Sequence, residues 1–189
     1  MQAVPGHRLS IPNLITLGRI LLVPVVVWAI TAGELQIAFL LFLTAGVSDA
    51  IDGYLAKRFG MVTALGAYLD PLADKAMMVS IYVALGITGA IPRWLVILVV
   101  SRDIMIVGGV MLSWLVGSPV KVKPLLVSKI NTVAQVVFAC LVLASLGFRF
   151  EIGLLGEMAM LMVAALTLLS VGYYVAEWLR HMNSAEAGR

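Results

Sequence analysis

The 189-residue chain is 62% hydrophobic and only 12% charged, with a mean hydropathy of +1.06, more apolar surface than one soluble core of this size can hide. That excludes an ordinary soluble enzyme and points to an all-α integral membrane protein, one membrane domain over 1–189 with no room for a separate soluble domain. The net charge of +3 is thinly spread, so no nucleic-acid partner is expected, and a lone cysteine, Cys140, excludes an internal disulfide.

Apolar runs and breaks predict six transmembrane helices over 14–31, 35–58, 63–88, 92–116, 127–146 and 152–180. The breaks carry turn chemistry: Ala32-Gly33-Glu34, Phe59-Gly60, Gly89-Ala90 ahead of Pro92, Gly117-Ser118-Pro119, and Gly147. Short tails are left at 1–10 and 182–189, the second expected to be disordered beyond Met182. The first span follows a short polar start without a small-residue cleavage site, so it is expected to be retained.

With the N-terminus inside, the cytoplasmic side carries Arg8, Lys57, Arg58, Lys121, Lys123, Arg180 and Arg189, against Arg93 and Arg149 opposite. The positive-inside rule then makes both termini cytoplasmic, and a bacterial inner membrane is the expected location. Trp28 and Trp94 fall at outer helix ends and Trp114 and Trp178 at inner ends, as interfacial belts require.

Against this background stand four intramembrane aspartates, Asp49-x-x-Asp52-Gly53-x-x-Ala56-Lys57, then eight residues, then Gly66-x-x-x-Asp70-x-x-x-Asp74. Each carboxylate costs roughly 2.5 to 3.5 kcal/mol to bury in hydrocarbon, so the set requires compensating positive charge. Asp49, Asp52, Gly53 and Ala56 recur at i, i+3, i+4 and i+7, and Gly66, Asp70 and Asp74 at i, i+4 and i+8, so each set shares a helix face. Two antiparallel helices joined by a short turn can face these carboxylates toward each other at the cytoplasmic leaflet. Four hard oxygen donors of net charge −4 suit two divalent cations, Mg2+ or Mn2+. Gly53, Ala56 and Gly66 lack bulk on the same faces, which permits close helix packing or a flat ligand against the backbone.

The run resembles the signature of the CDP-alcohol phosphatidyltransferases, DxxDGxxAR, eight residues, then GxxxDxxxD, departing from it only where Lys57 replaces arginine. The likeness extends to Pro12-Asn13-Leu14-Ile15-Thr16 and Arg19, to Lys75 after Asp74, and to Ser101-Arg102-Asp103, and so covers most of the chain. It implies phosphatidyl transfer from CDP-diacylglycerol to an alcohol with release of CMP, in a six-helix fold that is usually a homodimer. It implies that Asp49, Asp52, Asp70 and Asp74 hold two metals that bridge the diphosphate and neutralise departing CMP. Asp74 would also be the general base for the acceptor hydroxyl. Gly53, Ala56 and Gly66 would line the cytidine pocket, and Lys57 would meet the diphosphate, with lysine lacking arginine's bidentate fork.

The acceptor is read from helix five. Phosphatidylglycerol phosphate synthases typically show GKxKT there, two lysines for a phosphate monoester. This chain has Ser128-Lys129-Ile130-Asn131-Thr132 and Gln135, similar to eukaryotic-type cardiolipin synthases. One cation suits a phosphodiester, so phosphatidylglycerol is the expected acceptor. Glycerol-3-phosphate stays open, because Lys121 and Lys123 can add charge, although an interfacial role toward anionic lipid suits them as well. Arg102, deep in helix four, is expected to bind phosphate or to pair with Asp103. Arg19 is expected to snorkel to headgroups or meet lipid phosphate, and Lys75 to balance charge near the site. A cation transporter or an inactive structural subunit would also tolerate buried acids, but transport needs a path to both sides, and all four aspartates gather near one face.

Overall fold

The computed structural model describes residues 11–59, 64–115 and 126–186. Among the described residues there are six α-helices and no strand: α1 (Ile11–Thr31), α2 (Leu35–Phe59), α3 (Ala64–Ile87), α4 (Arg93–Leu115), α5 (Leu126–Phe148) and α6 (Gly153–Glu186). The chain forms two compact units, Met1–Ala84 and Leu85–Arg189.

In the first unit α1 packs along α2. Its core takes Val26, Ala29 and Ile30 from α1, Ala38, Phe42 and Ala45 from α2, and Ala73, Met77 and Ile81 from α3. Three of these are alanines on α1 and α2, and small side chains let apolar helices approach closely. The turn between them is a Schellman motif. Gly33, at φ 81°, donates to the Ile30 carbonyl while Glu34 donates to that of Ala29 at 2.8 Å, satisfying carbonyls that the helix end would otherwise orphan.

The same motif ends α3 in the second unit. Gly89, at φ 76°, donates to Gly86, and Ala90 to Leu85 at 2.9 Å. Pro92 then opens α4 by accepting from Leu95 at 3.1 Å. A Cβ on Gly86 would lie 2.6 Å from Cγ2 of Val96, so any larger residue there would force Val96 to shift. In the rest of this unit α6 packs against both α4 and α5, burying Leu95, Val99, Phe138, Leu143 and Val163.

Outward faces are apolar too. Ile130, Val133 and Val137 on α5 and Leu154, Leu161 and Leu168 on α6 are more than half exposed, a pattern that water penalises and lipid does not. Helix α5 and the Gly153–Ala176 portion of α6 are each long and apolar enough to cross a bilayer.

Three boundaries depart from expectation. Gly147 does not break α5. It is buried within the helix, and the left-handed residue that ends the turn is Arg149, at φ 58°, with Phe150 donating to the Ser145 carbonyl at 3.0 Å. The tail beyond Met182 is helical through Glu186, because extending an existing helix costs little and Met182, Ala185 and Glu186 favour it. Helix α1 begins three residues earlier than expected, at Ile11. The tail 1–10 and Lys121 and Lys123 lie outside the described residues.

Candidate active site

The first unit gathers its charge on Arg19. From α1 its guanidinium reaches two helices: Nη2 pairs with Oδ1 of Asp49 on α2 at 2.5 Å, and Nη1 donates to Oδ1 of Asp74 on α3. Asp49 opens the acidic run on α2 and Asp74 closes the one on α3. The structure therefore brings the two ends of the motif onto one cation. The arginine side chain is 5% exposed, whereas those of Asp49 and Asp74 are 41% and 48% exposed, so the guanidinium lies on the inner side and the carboxylates open outward.

Between Asp49 and Asp74 the backbone of α2 stays helical through Lys57, and that of α3 runs from Ala64 through Asp70. Helical spacing thus keeps Asp52 beside Asp49 and Asp70 beside Asp74 along their helices. The side chains of Asp52, Ala56, Lys57 and Asp70, and the surroundings of Gly53 and Gly66, lie outside the described residues. No three carboxylate, thiol or imidazole groups cluster among the described residues; the pair that does converge, Asp49 and Asp74, offers the hard oxygen donors that Mg2+ and Mn2+ take. The donor chemistry fits such ions, with Asp49, Asp52, Asp70 and Asp74 as the groups that would hold them.

Beside this pair a groove of about 230 Å3 runs between α1 and α2, lined by Ile15, Gly18, Arg19, Leu22, Thr44, Ala45 and Ser48. Its wall is mostly apolar. Thr44 turns its hydroxyl back to the Leu40 and Leu41 carbonyls, at 2.8 and 2.9 Å, the usual way for a threonine hydroxyl to be satisfied within a helix.

The second unit holds a different polar cluster. Arg102, 2% exposed, pairs through Nη1 with Asp103 at 2.6 Å, donates through Nη2 to Ser128 of α5 at 2.5 Å, and reaches Ser170 of α6 through both Nε and Nη2 at 3.2 and 3.0 Å. Every guanidinium nitrogen is engaged by the protein, so of the two roles expected of Arg102 it is the ion pair with Asp103 that the geometry displays. One turn further on, Thr167 of α6 donates to Oδ1 of Asn131 at 3.0 Å, and Asn131 is fully buried. Lys129 is exposed on the other side of α5. The Lys129–Asn131 pair expected to meet the acceptor is thus divided between the surface and the core.

Sequence reasoning did not find the partners of Arg19, nor any role for Ser170. A signal existed for each: the acids in apolar segments needed a cation, and Thr167 and Ser170 repeat at i, i+3 within the otherwise apolar stretch 158–171 of α6.

The described helices carry apolar outer faces, and carboxylates from two of them meet on one arginine. The CDP-alcohol phosphatidyltransferase family profile matches residues 9–171, and the chain belongs to that family. It is 36% identical over 170 residues to CDP-diacylglycerol–glycerol-3-phosphate 3-phosphatidyltransferase 1, chloroplastic, of Oryza sativa subsp. japonica, covering 79% of this chain and 52% of that protein. Human cardiolipin synthase (CMP-forming) is 32% identical over 157 residues, 75% of this chain and 52% of the human protein. The CDP-diacylglycerol–glycerol-3-phosphate 3-phosphatidyltransferase of Bacillus subtilis (strain 168) is 29% identical over 184 residues, 89% and 94% of the two chains. The chain spans about half the length of the rice and human relatives.

Proposed function

We propose that this chain is a six-span membrane domain, both termini cytoplasmic, that transfers a phosphatidyl group from CDP-diacylglycerol to a glycerol hydroxyl and releases CMP. The observation that carries the reading is the convergence of Asp49 and Asp74, from opposite ends of the motif, on Arg19. Asp49, Asp52, Asp70 and Asp74 hold two divalent cations, Mg2+ or Mn2+, which supply Lewis-acid charge neutralisation at the diphosphate when bound. Gly53, Ala56 and Gly66 leave space for the cytidine and Lys57 meets the diphosphate. The acceptor oxygen bonds to the phosphatidyl phosphorus, the bond from that phosphorus to the CMP oxygen breaks, and Asp74 takes the hydroxyl proton. The homodimer rests on family resemblance alone.

Phosphatidylglycerol is the acceptor of this reading, which makes the product cardiolipin. Support comes from the Ser128-Lys129-Ile130-Asn131-Thr132 run, where a single exposed lysine faces outward while Asn131 is spent on Thr167. One positive charge matches a phosphodiester. The second reading, glycerol-3-phosphate, is favoured by the names of the rice and Bacillus relatives and would draw on Lys121 and Lys123. Purified protein with Mg2+ or Mn2+ and CDP-diacylglycerol, given each acceptor separately, decides between them. Cardiolipin by mass, formed only with phosphatidylglycerol, is the expected product; phosphatidylglycerol phosphate formed only with glycerol-3-phosphate would replace the first reading by the second. No CMP release with either acceptor would defeat the transferase itself.

A further inference from the structure

Among the described residues Arg19 is almost as buried as any charged group, and two carboxylates from two other helices are its only polar partners there. Its Nε–H meets no acceptor among them. A buried guanidinium that leaves one donor unsatisfied is held in place by the bonds it does make. Here those are one oxygen of Asp49 and one of Asp74. The guanidinium is planar and its fork is rigid, so the separation of its two Nη atoms sets the separation of the two carboxylates. Without a cation between them the like charges would repel at this close spacing.

The two carboxylates are nearly half exposed and the guanidinium is not. Arg19 therefore grips the acids from behind and leaves their outer sides accessible. We propose that Arg19 is a positioning residue that pre-forms the cation site, spacing Asp49 and Asp74 before any divalent ion arrives and staying in place once it has bound; this rests on the metal-binding role given to the acids above. The charge balance agrees. Counted by themselves, the four aspartates and Arg19 carry −3, and two divalent cations would turn this set to +1, a surplus suited to an anionic diphosphate. A competing arrangement, in which Arg19 merely fills the cation position and must be expelled, predicts the opposite response to its removal.

The test is Mn2+ binding to detergent-purified protein, with free Mn2+ read by electron paramagnetic resonance and no substrate present. Arg19→Lys keeps the charge but cannot bridge two carboxylates, so a loss there reports geometry alone. Arg19→Gln removes both charge and bridge. Thermal unfolding in EDTA establishes that each variant is folded, and the milder lysine variant carries the test if the glutamine one is not. Pre-formation predicts Mn2+ affinity about 10- to 100-fold weaker in Arg19→Lys, the range found when groups that orient metal ligands are changed, and weaker again or equal in Arg19→Gln. Unchanged or tighter binding in Arg19→Lys, or tighter binding in Arg19→Gln, overturns the proposal while leaving the metal-dependent reading intact. Absence of Mn2+ binding in the unaltered protein overturns both.

Discussion

Arg19 and Arg102 are both nearly enclosed, yet the carboxylates on Arg19 open to the outside by almost half, whereas Asp103 on Arg102 is as buried as the arginine itself. Arg19 gathers one partner from each of two other helices and leaves a donor idle. Arg102 has a partner at every nitrogen, drawn from α4, α5 and α6. The contrast teaches how to read a buried arginine. Its own burial says little; the exposure of the acids it holds separates an open cluster from a closed tie between helices.

The largest effect that tests this contrast lies on the Arg19 side. Asp74→Asn, assayed at saturating Mn2+, should lower kcat by about 10^2- to 10^4-fold, the usual worth of a positioned general base, with Mn2+ affinity weakened as well because Asp74 is also one of the proposed ligands. Asp49→Asn should instead show its first defect in Mn2+ affinity. Both variants turning over CDP-diacylglycerol at the unaltered rate would remove the open site from the chemistry. CMP release and Mn2+ titration measured side by side make the comparison.

Next in size is the enclosed pair. Arg102→Met leaves Asp103 without its arginine inside the second unit, and breaking a buried pair by removing one member costs about 3–5 kcal/mol. The double variant Arg102→Met with Asp103→Met should recover most of that loss, because two apolar groups of similar volume have no charge to desolvate. Detergent thermal unfolding measures both. If the double variant folds normally yet its KM for the acceptor rises many-fold, Arg102 meets phosphate in addition to holding α5 and α6.

How much of this was legible beforehand differs between the two regions for a physical reason. Helices and most of their ends follow local rules, so Gly33 and Gly89 announced their turns through the φ that only glycine adopts freely. The end of α5 did not follow them, since Gly147 is a packing position inside the helix and Arg149 takes the left-handed conformation instead. The aspartate faces were visible because 3.6-residue periodicity places them. The partner of Asp49 and Asp74 was not, because a contact between distant segments leaves no periodic trace; only the need for charge compensation hinted at Arg19. Ser128 and Asn131 were noticed for their motif. Their engagement with Arg102 and Thr167 required α5 and α6 to be packed together.

The smallest effect sharpens the enclosed side. Ser170 accepts from both Nε and Nη2 of Arg102, so Ser170→Ala strands two donors in a place that water does not reach. Unsatisfied buried donors cost about 1–3 kcal/mol, but polar contacts between membrane helices average nearer 0.6 kcal/mol because the alternative state also finds partners. A loss of about 1 kcal/mol is expected, seen as a lower unfolding temperature in detergent. The kcat should not change, since Ser170 is fully buried and its bonds go to Arg102. A fall in kcat at full stability would mean that the enclosed cluster communicates with the reacting groups, and the division drawn between the two arginines would then have to be abandoned.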